Sequence, residues 1–296
     1  MIGGIRMKYL MVLAVVFLSV HLYGAVPDTA GKTLNSQTIA ALDKNIGTFV
    51  ELLDTAESCL GGCRSNLLKM RDLTVLGAYE SGTNEIRQAL IRQIRNMADE
   101  TRKILAQAQF NDLPVFKSDG DNPVLVHLTL SENDPTETFR FNRFHLLKSM
   151  ENFPDSMLPT SESFMLQLPV IDGFRQSLTG EWTLCEAYRQ RMENVRKYLD
   201  IRSDPKFASD KDRNSAVRTL AAQLKDYIRS LAVNGANSVY GDDQRAFLDA
   251  DYQEMLKQLA WLEKQTGQDF KSKPYLGTSL VLREDCENLM RRMTNW

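Results

Sequence analysis

The sequence predicts a mainly α-helical protein, in which long antiparallel helices pack as in a coiled coil and one small β-hairpin interrupts them. Two observations carry this prediction. Apolar residues recur at spacings of three and four along most of the chain, which is the period of a packed helix face. Between residues 125 and 147, apolar and polar residues alternate instead, which is the period of a strand. Hydrophobic residues make up 43% of the 296, which is enough to bury a core.

Residues 1–25 have the layout of a secretory signal peptide. Lys8 precedes an apolar run, and small residues close the segment at Gly24 and Ala25. The run is short for a permanent transmembrane helix. We therefore expect cleavage after Gly24 or Ala25 and a mature, exported protein that does not span a membrane. An uncleaved membrane anchor is the alternative.

The first long helix follows a short polar lead, and its apolar seam is very regular. The seam consists of Ile39, Leu42, Ile46, Phe49, Leu53, Ala56, Leu60, Cys63, Leu67 and Met70. The polar stretch YESGTN ends this helix, and a second helix then carries one apolar face. That face consists of Ile86, Leu90, Ile94, Met97 and Ile104. Pro114 prevents the second helix from continuing, so the two helices are predicted to form a hairpin.

The predicted β-hairpin turns at SENDPTE, whose asparagine, aspartate and proline are typical turn residues. A helical pattern then returns from Ile171 to Leu199, and the polar segment after it is predicted to be a linker. The predicted organisation is a signal peptide (1–25), a helical domain (36–200) with its β-hairpin at 125–147, a linker (201–214), and a second helical hairpin with a C-terminal helix (215–296).

The second hairpin repeats the first. When the chain is compared with itself at an offset of 158 residues, identical residues coincide in both helices. The coinciding pairs are Arg71 and Arg229, Leu73 and Leu231, Val75 and Val233, Gly77 and Gly235, Ala78 and Ala236, Arg87 and Arg245, and Leu90 and Leu248. Unrelated helices share apolar spacing, but they rarely share arginines and a glycine–alanine pair as well. The sequence therefore predicts an internal duplication.

Composition and motifs argue against several classes of function. A net charge of −2 provides no basic surface for nucleic acid. No phosphate-binding loop, activated nucleophile or metal-ligand spacing is evident, so we expect no enzyme, no cofactor, no metal and no small-molecule substrate. His127 and His145 lie in or beside the predicted strands, where a solvated or packed histidine is the simpler interpretation. The cysteines, which are compatible with buried thiols or with disulfides, are Cys59, Cys63, Cys185 and Cys286.

Residues 45–200 resemble the rod region of bacterial flagellins. The matching residues of the first hairpin are Thr55-Ala56-Glu57, Leu60, Met70-Arg71-Asp72-Leu73, Val75, Ala78, Arg87, Ile94, Ile104 and Phe110-Asn111. The predicted β-hairpin is similar to the one that follows this rod. The residues that match the C-terminal rod helix are Ala187, Tyr188, Arg191 and Glu193. The terminal helices that build the inner tube of a flagellin filament are not found, so we expect that this chain does not close such a tube alone.

The resemblance implies a structural component of a flagellar filament, which packs on or around a filament core and contacts flagellin core or sheath proteins. Signal-dependent export favours periplasmic flagella, as in spirochetes, over an extracellular filament. The resemblance and the duplication imply an assembly surface at Lys69, Arg71, Leu73, Arg87, Gln93, Arg229 and Arg245. For Leu73, a core position is the alternative. A secreted helical binding module or adhesin that reuses the rod fold is the alternative function.

Overall fold

The computed structural model describes residues 36–79, 82–116, 124–130, 137–141, 150, 153–207, 209–237 and 241–295. All of them belong to one compact unit, Thr33–Trp296. The predicted signal peptide at 1–25 lies outside the described residues. The turn of the predicted β-hairpin at 131–136 and its last residues at 142–147 lie outside them as well.

Long helices dominate the described chain. The elements are α1 (Ser36–Ala78), α2 (Asn84–Gln107), β1 (Gln109–Phe110), β2 (Leu113–Pro114), β3 (Val124–Leu128), β4 (Glu137–Phe141), α3 (Ser161–Ser203), α4 (Asp210–Ala236), α5 (Asp242–Thr266) and α6 (Arg283–Arg292), with 3₁₀ turns at Pro205–Phe207 and Met293–Asn295. The predicted fold class, mainly α with long antiparallel helices and one small β-hairpin, is confirmed. The two-residue pair β1–β2 is an addition to it.

Helix α1 lies between α2 and α3 and runs antiparallel to both. Ion pairs fix its register against α3: Arg196 Nε lies 2.9 Å from Asp43 Oδ1, and Arg71 Nε lies 2.8 Å from Asp172 Oδ1. The predicted seam of α1 is confirmed, because every member except the half-buried Ile39 is buried. A helix with neighbours on two sides needs a regular apolar seam, and that regularity is what the sequence displays.

The predicted apolar face of α2 is wrong, because the face that is buried is rotated about the helix axis relative to the predicted one. Ile86 is 54% exposed, and Leu90, Met97 and Ile104 are only partly buried. The buried residues of α2 are Arg87, Ile91, Ile94, Ala98, Thr101 and Leu105. Two polar side chains thus occupy core positions that a count of apolar residues passes over.

The β-hairpin is fastened to the helices by aromatic contacts. Strands β3 and β4 pair antiparallel, with Val126 opposite Phe139. The ring of Phe139 lies 4.5 Å from that of Phe49 on α1 and 5.0 Å from that of Tyr188 on α3. The Tyr188 hydroxyl accepts from the Arg140 backbone N–H and donates to its carbonyl oxygen, both at 3.1 Å. The Tyr188 side chain therefore satisfies both backbone hydrogen-bonding groups of one β4 residue and joins the hairpin to α3.

Helix α3 is longer than the sequence predicted at both ends. It begins at Ser161 rather than Ile171, after the N-cap Thr160, and contains Pro169. It continues to Ser203, and α4 begins at Asp210. Most of the predicted linker, 201–214, is therefore helical, because polar residues there cap and extend helices instead of forming an extended segment.

The two glycines of the duplication lie at crowded positions. A methyl group at Gly77 would collide with the ring of Phe164, and one at Gly235 would lie 2.6 Å from Cys286 Sγ. We expect Gly77→Ala and Gly235→Ala to lower the free energy of unfolding by about 1–3 kcal/mol each. Gly173→Ala is the control, because nothing lies within 4 Å of the added methyl and alanine favours helix; it should raise stability by about 0.5–1 kcal/mol. Chemical denaturation measures all three, and equal effects would contradict the crowding.

Candidate functional site

The residues predicted for the assembly surface divide into three groups in the structure. Lys69 and Gln93 are exposed on α1 and α2. Leu73 is half-buried, and the side chains of Arg71 and Arg229 are each 39% exposed. Arg87 and Arg245 are buried, at 8% and 7% exposed. Arg87 and Arg245 therefore make contacts inside the chain rather than on its surface. The exposed part of the predicted surface lies mainly on the first hairpin.

Arg87 closes the end of α1. Its Nε donates to the carbonyl oxygen of Gly77 at 3.1 Å, its Nη1 to that of Gly82 at 2.5 Å, and its Nη2 to that of Tyr79 at 2.7 Å. The last carbonyls of a helix have no partner within the helix, and a guanidinium presents several donors in a fixed plane. Arg87 on α2 therefore satisfies the C-terminal end of α1 and sets the hairpin turn.

Arg245 repeats this arrangement in the second hairpin. Its Nη1 donates to the carbonyl oxygen of Gly235 at 3.4 Å, and its Nη2 lies 2.8 Å from Asp242 Oδ1. In both hairpins the arginine follows the glycine by ten residues and is buried. The shared contact gives a physical reason for the presence of the same arginine and glycine in both hairpins.

The duplication extends to a third helix that the sequence comparison did not include. Phe164, the fourth residue of α3, packs against Gly77; Cys286, the fourth residue of α6, packs against Gly235. We therefore describe two repeats: the first repeat is α1, α2 and α3, and the second repeat is α4, α5 and α6. The α6 sequence shares little with the start of α3, so only the contacts reveal the correspondence.

Arg71 and Arg229 correspond in the two repeats but bind different groups. Arg71 pairs with Asp172 on α3, and Arg175 shares the same Asp172 oxygen at 2.9 Å. Partial burial acts to raise the pKa of Asp172, but hydrogen bonds from the two arginines hold that pKa below its usual value. Arg229 pairs instead with Asp226 on its own helix, at 2.9 Å. Of these two arginines, Arg71 is the one whose ion pair in the described structure connects its hairpin to another helix.

A buried ion pair joins the two repeats, and the sequence analysis did not identify it. Arg191 Nη1 on α3 lies 2.9 Å from Glu254 Oε2 on α5, and both residues are 4% exposed. Arg191 also pairs with Glu137 on β4, and Lys257 lies 2.5 Å from the other Glu254 oxygen. Burial lowers the pKa of Arg191, and the charge and hydrogen bond of Glu254 oppose that shift.

The contact between the repeats continues along both helices. Asn194 Nδ2 lies 3.9 Å from the sulfur of Met255, and the rings of Tyr198 and Trp261 meet edge to face at 5.1 Å. Pairs 191–254 and 198–261 have the same sequence separation, so α3 and α5 run in the same direction. A small cavity of about 150 Å³ lies beside this contact, lined by Gln190, Asn194, Lys197, Gln223, Leu224, Tyr227 and Met255.

The cysteines and His127 lie in packed or hydrogen-bonded surroundings. The four cysteines are free thiols, and burial raises the pKa of Cys63 to about 12. His127 Nδ1 lies 3.0 Å from the Thr138 hydroxyl, whereas His145 lies outside the described residues. Among the residues that the structure describes, no group of three or more potential ligands could hold a metal ion. No helix in that part of the chain is both long and apolar enough to cross a membrane.

Comparison with known proteins found flagellar relatives. The chain is similar to Flagellin 1 of Proteus mirabilis, with 27% identity over 124 residues, which is 40% of this chain and 33% of that protein. It thus spans about a third of the curated relative. Bacillus cereus flagellin has a TM-score of 0.44, with 57% of this chain and 92% of that chain covered. A Vibrio parahaemolyticus structure described as flagellar hook-associated has a TM-score of 0.45, with 60% and 91% covered; both are 16% identical. No family model matches the chain.

Both buried arginines are expected to stabilise the chain. Arg87→Met should lower the free energy of unfolding by about 2–3 kcal/mol, because three carbonyl oxygens lose a charged donor. Arg245→Met should also lower it, by about 1–3 kcal/mol, because the Gly235 carbonyl oxygen and the Asp242 carboxylate lose a buried charged partner. Arg92→Met, at an exposed position of α2, is the control and should change stability by less than about 0.5 kcal/mol. Denaturant titration followed by circular dichroism measures the three, and a loss at Arg92 as large as at Arg87 would contradict the capping role.

Proposed function

We propose that this chain is a structural protein of a bacterial flagellar filament, exported by its signal peptide, that packs on or around a filament core. The observation that carries the proposal is the sequence similarity to Flagellin 1 over 124 residues. The fold is compatible with it, because long antiparallel helices with buried seams provide rigid sides for lateral packing. The role is structural rather than catalytic.

The proposed assembly surface is the outward side of the first hairpin. Lys69 and Gln93 are exposed there, and Leu73 is half-buried beside them. Arg71 holds α1 on α3 through Asp172, and Arg87 fixes the turn from inside. In this proposal the two arginines set the shape of the surface, while Lys69, Leu73 and Gln93 contact the partner.

The proposed partners are flagellin core or sheath proteins, and the proposed location is the periplasm, around a periplasmic flagellum. Export by a signal peptide places a protein outside the cytoplasm without passage through the flagellar channel. A filament in the periplasm would then be within its reach. The division into a first helical domain, 36–200, and a second helical hairpin, 215–296, is part of the proposal, although α3 extends across their boundary.

Filament isolation tests this function. Filaments are purified from cells that make the protein, and immunogold electron microscopy locates it along them. We expect the protein at regular intervals on the filament. Recovery of all the protein from the cell surface or the medium, with none on filaments, would overturn the proposal and favour a secreted adhesin.

Charge reversal at Lys69 tests the surface. We expect Lys69→Glu to lower the filament-bound fraction about tenfold, because reversal of a contact charge weakens association. The control is Lys211→Glu, which reverses a charge at another exposed position, in the first turn of α4. Circular dichroism should show that both variants fold. Equal incorporation of the two variants into filaments would show that Lys69 is not part of the assembly surface.

A further inference from the structure

The second repeat shows which surface of a hairpin of this type binds a neighbouring helix. On α5, the three residues that contact α3 and two residues that neighbour them on the helix surface are all buried. They are Glu254, Met255, Gln258, Trp261 and Leu262. The direct contacts are Arg191 with Glu254, Asn194 with Met255, and Tyr198 with Trp261. We call these five residues the covered face of α5.

The same positions of the first repeat form an open face. At the offset of 158 residues, the covered face of α5 corresponds to Asn96, Met97, Glu100, Lys103 and Ile104 on α2. Asn96, Glu100 and Lys103 are exposed, and the other two are half-buried against the hairpin. We call these five residues the open face of α2. Two repeats with the same arginine–glycine contact therefore differ in whether a helix lies on this face.

Two residues of the proposed assembly surface border the open face. Lys69 corresponds to Tyr227 and Gln93 to Asp251 in the second repeat. The Tyr227 hydroxyl donates to Asp251 Oδ2 at 2.5 Å, and Tyr227 lines the cavity together with α3 residues. The contact between α3 and the second repeat therefore reaches positions equivalent to Lys69 and Gln93.

We propose that the open face of α2 binds the third helix of a neighbouring rod, in the orientation in which α3 lies on α5. The occupant is a long helix parallel to α2, with a basic side chain opposite Glu100 and an acidic or aromatic side chain opposite Lys103. The packing of α3 on the second repeat is the template for this contact. The inference rests on the proposed function only for the identity of the partner, a rod protein of the filament.

The contact is one-sided in this chain. The α3 surface that a neighbour would need is already occupied, because Arg191, Asn194 and Tyr198 are buried against the chain's own second repeat. One copy therefore accepts a helix on its first repeat but offers no free α3 to a second copy. A heterologous contact extends into a row only when each subunit offers both surfaces. A lateral row of rods thus ends where this protein joins it.

Site-specific photo-crosslinking tests the proposal with the full chain. The photoreactive residue p-benzoylphenylalanine is placed at Asn96, on the open face, or at Ala106, on the neighbouring side of α2. Ala106 is the matched control because its equivalent in the second repeat, Lys264, is exposed. Each protein is mixed with isolated filaments, irradiated and mapped by mass spectrometry. We expect crosslinks from position 96 into the third helix of a filament protein, and at least about tenfold fewer from position 106.

The outcomes separate this inference from the proposed function. If neither protein sediments with filaments, the flagellar role fails and the inference fails with it. If both sediment but position 96 gives no more crosslinks than position 106, only the inference is overturned. A second comparison uses Glu100→Lys and Ala106→Lys: the first should lower filament binding about tenfold, and the second should not. Long filaments formed by this protein alone would also overturn the one-sided contact.

Discussion

The guanidinium of Arg191 lies where the β-hairpin, α3 and the second repeat meet. A charge with 4% exposure requires partners, and Glu254 and Glu137 provide them from two different elements. The pair adds little net stability compared with apolar packing, but removing one partner would leave an uncompensated buried charge, at a cost of about 3–5 kcal/mol. The ion pair therefore fixes the position of the second repeat on α3 more than it raises the free energy of unfolding. Any other placement of the second repeat on α3 would leave Arg191 without Glu254.

The sequence predicted elements well where apolar spacing alone determines packing. The seam of α1 was correct because a helix between two others buries residues at regular intervals. The face of α2 was rotated because Arg87 and Thr101 occupy core positions. The extent of α3 was underestimated because the helix was placed where its apolar spacing is regular, whereas it begins at Ser161, after the N-cap Thr160, and continues to Ser203. These errors share a cause: local rules do not show which backbone groups or charges find partners in the fold.

For the same reason, the sequence predicted the exposure of only part of the candidate surface correctly. Charged residues of a repeated motif were assigned to the outside, yet Arg87 and Arg245 lie inside because carbonyl groups at helix ends need donors. The covered face of α5 contains Glu254 and Gln258, so its sequence does not resemble a buried surface. Comparing the two repeats in three dimensions reveals it, since one repeat shows the face covered and the other shows it open.

The continuity of α3 has a mechanical consequence. This helix of 43 residues, about 64 Å long at 1.5 Å per residue, belongs to the first repeat and also carries the contact with the second. A flexible tether between the repeats would let each move separately under load. Here a force applied to one repeat passes along one continuous helix to the other. The two repeats should therefore respond to bending or twisting as one stiff body.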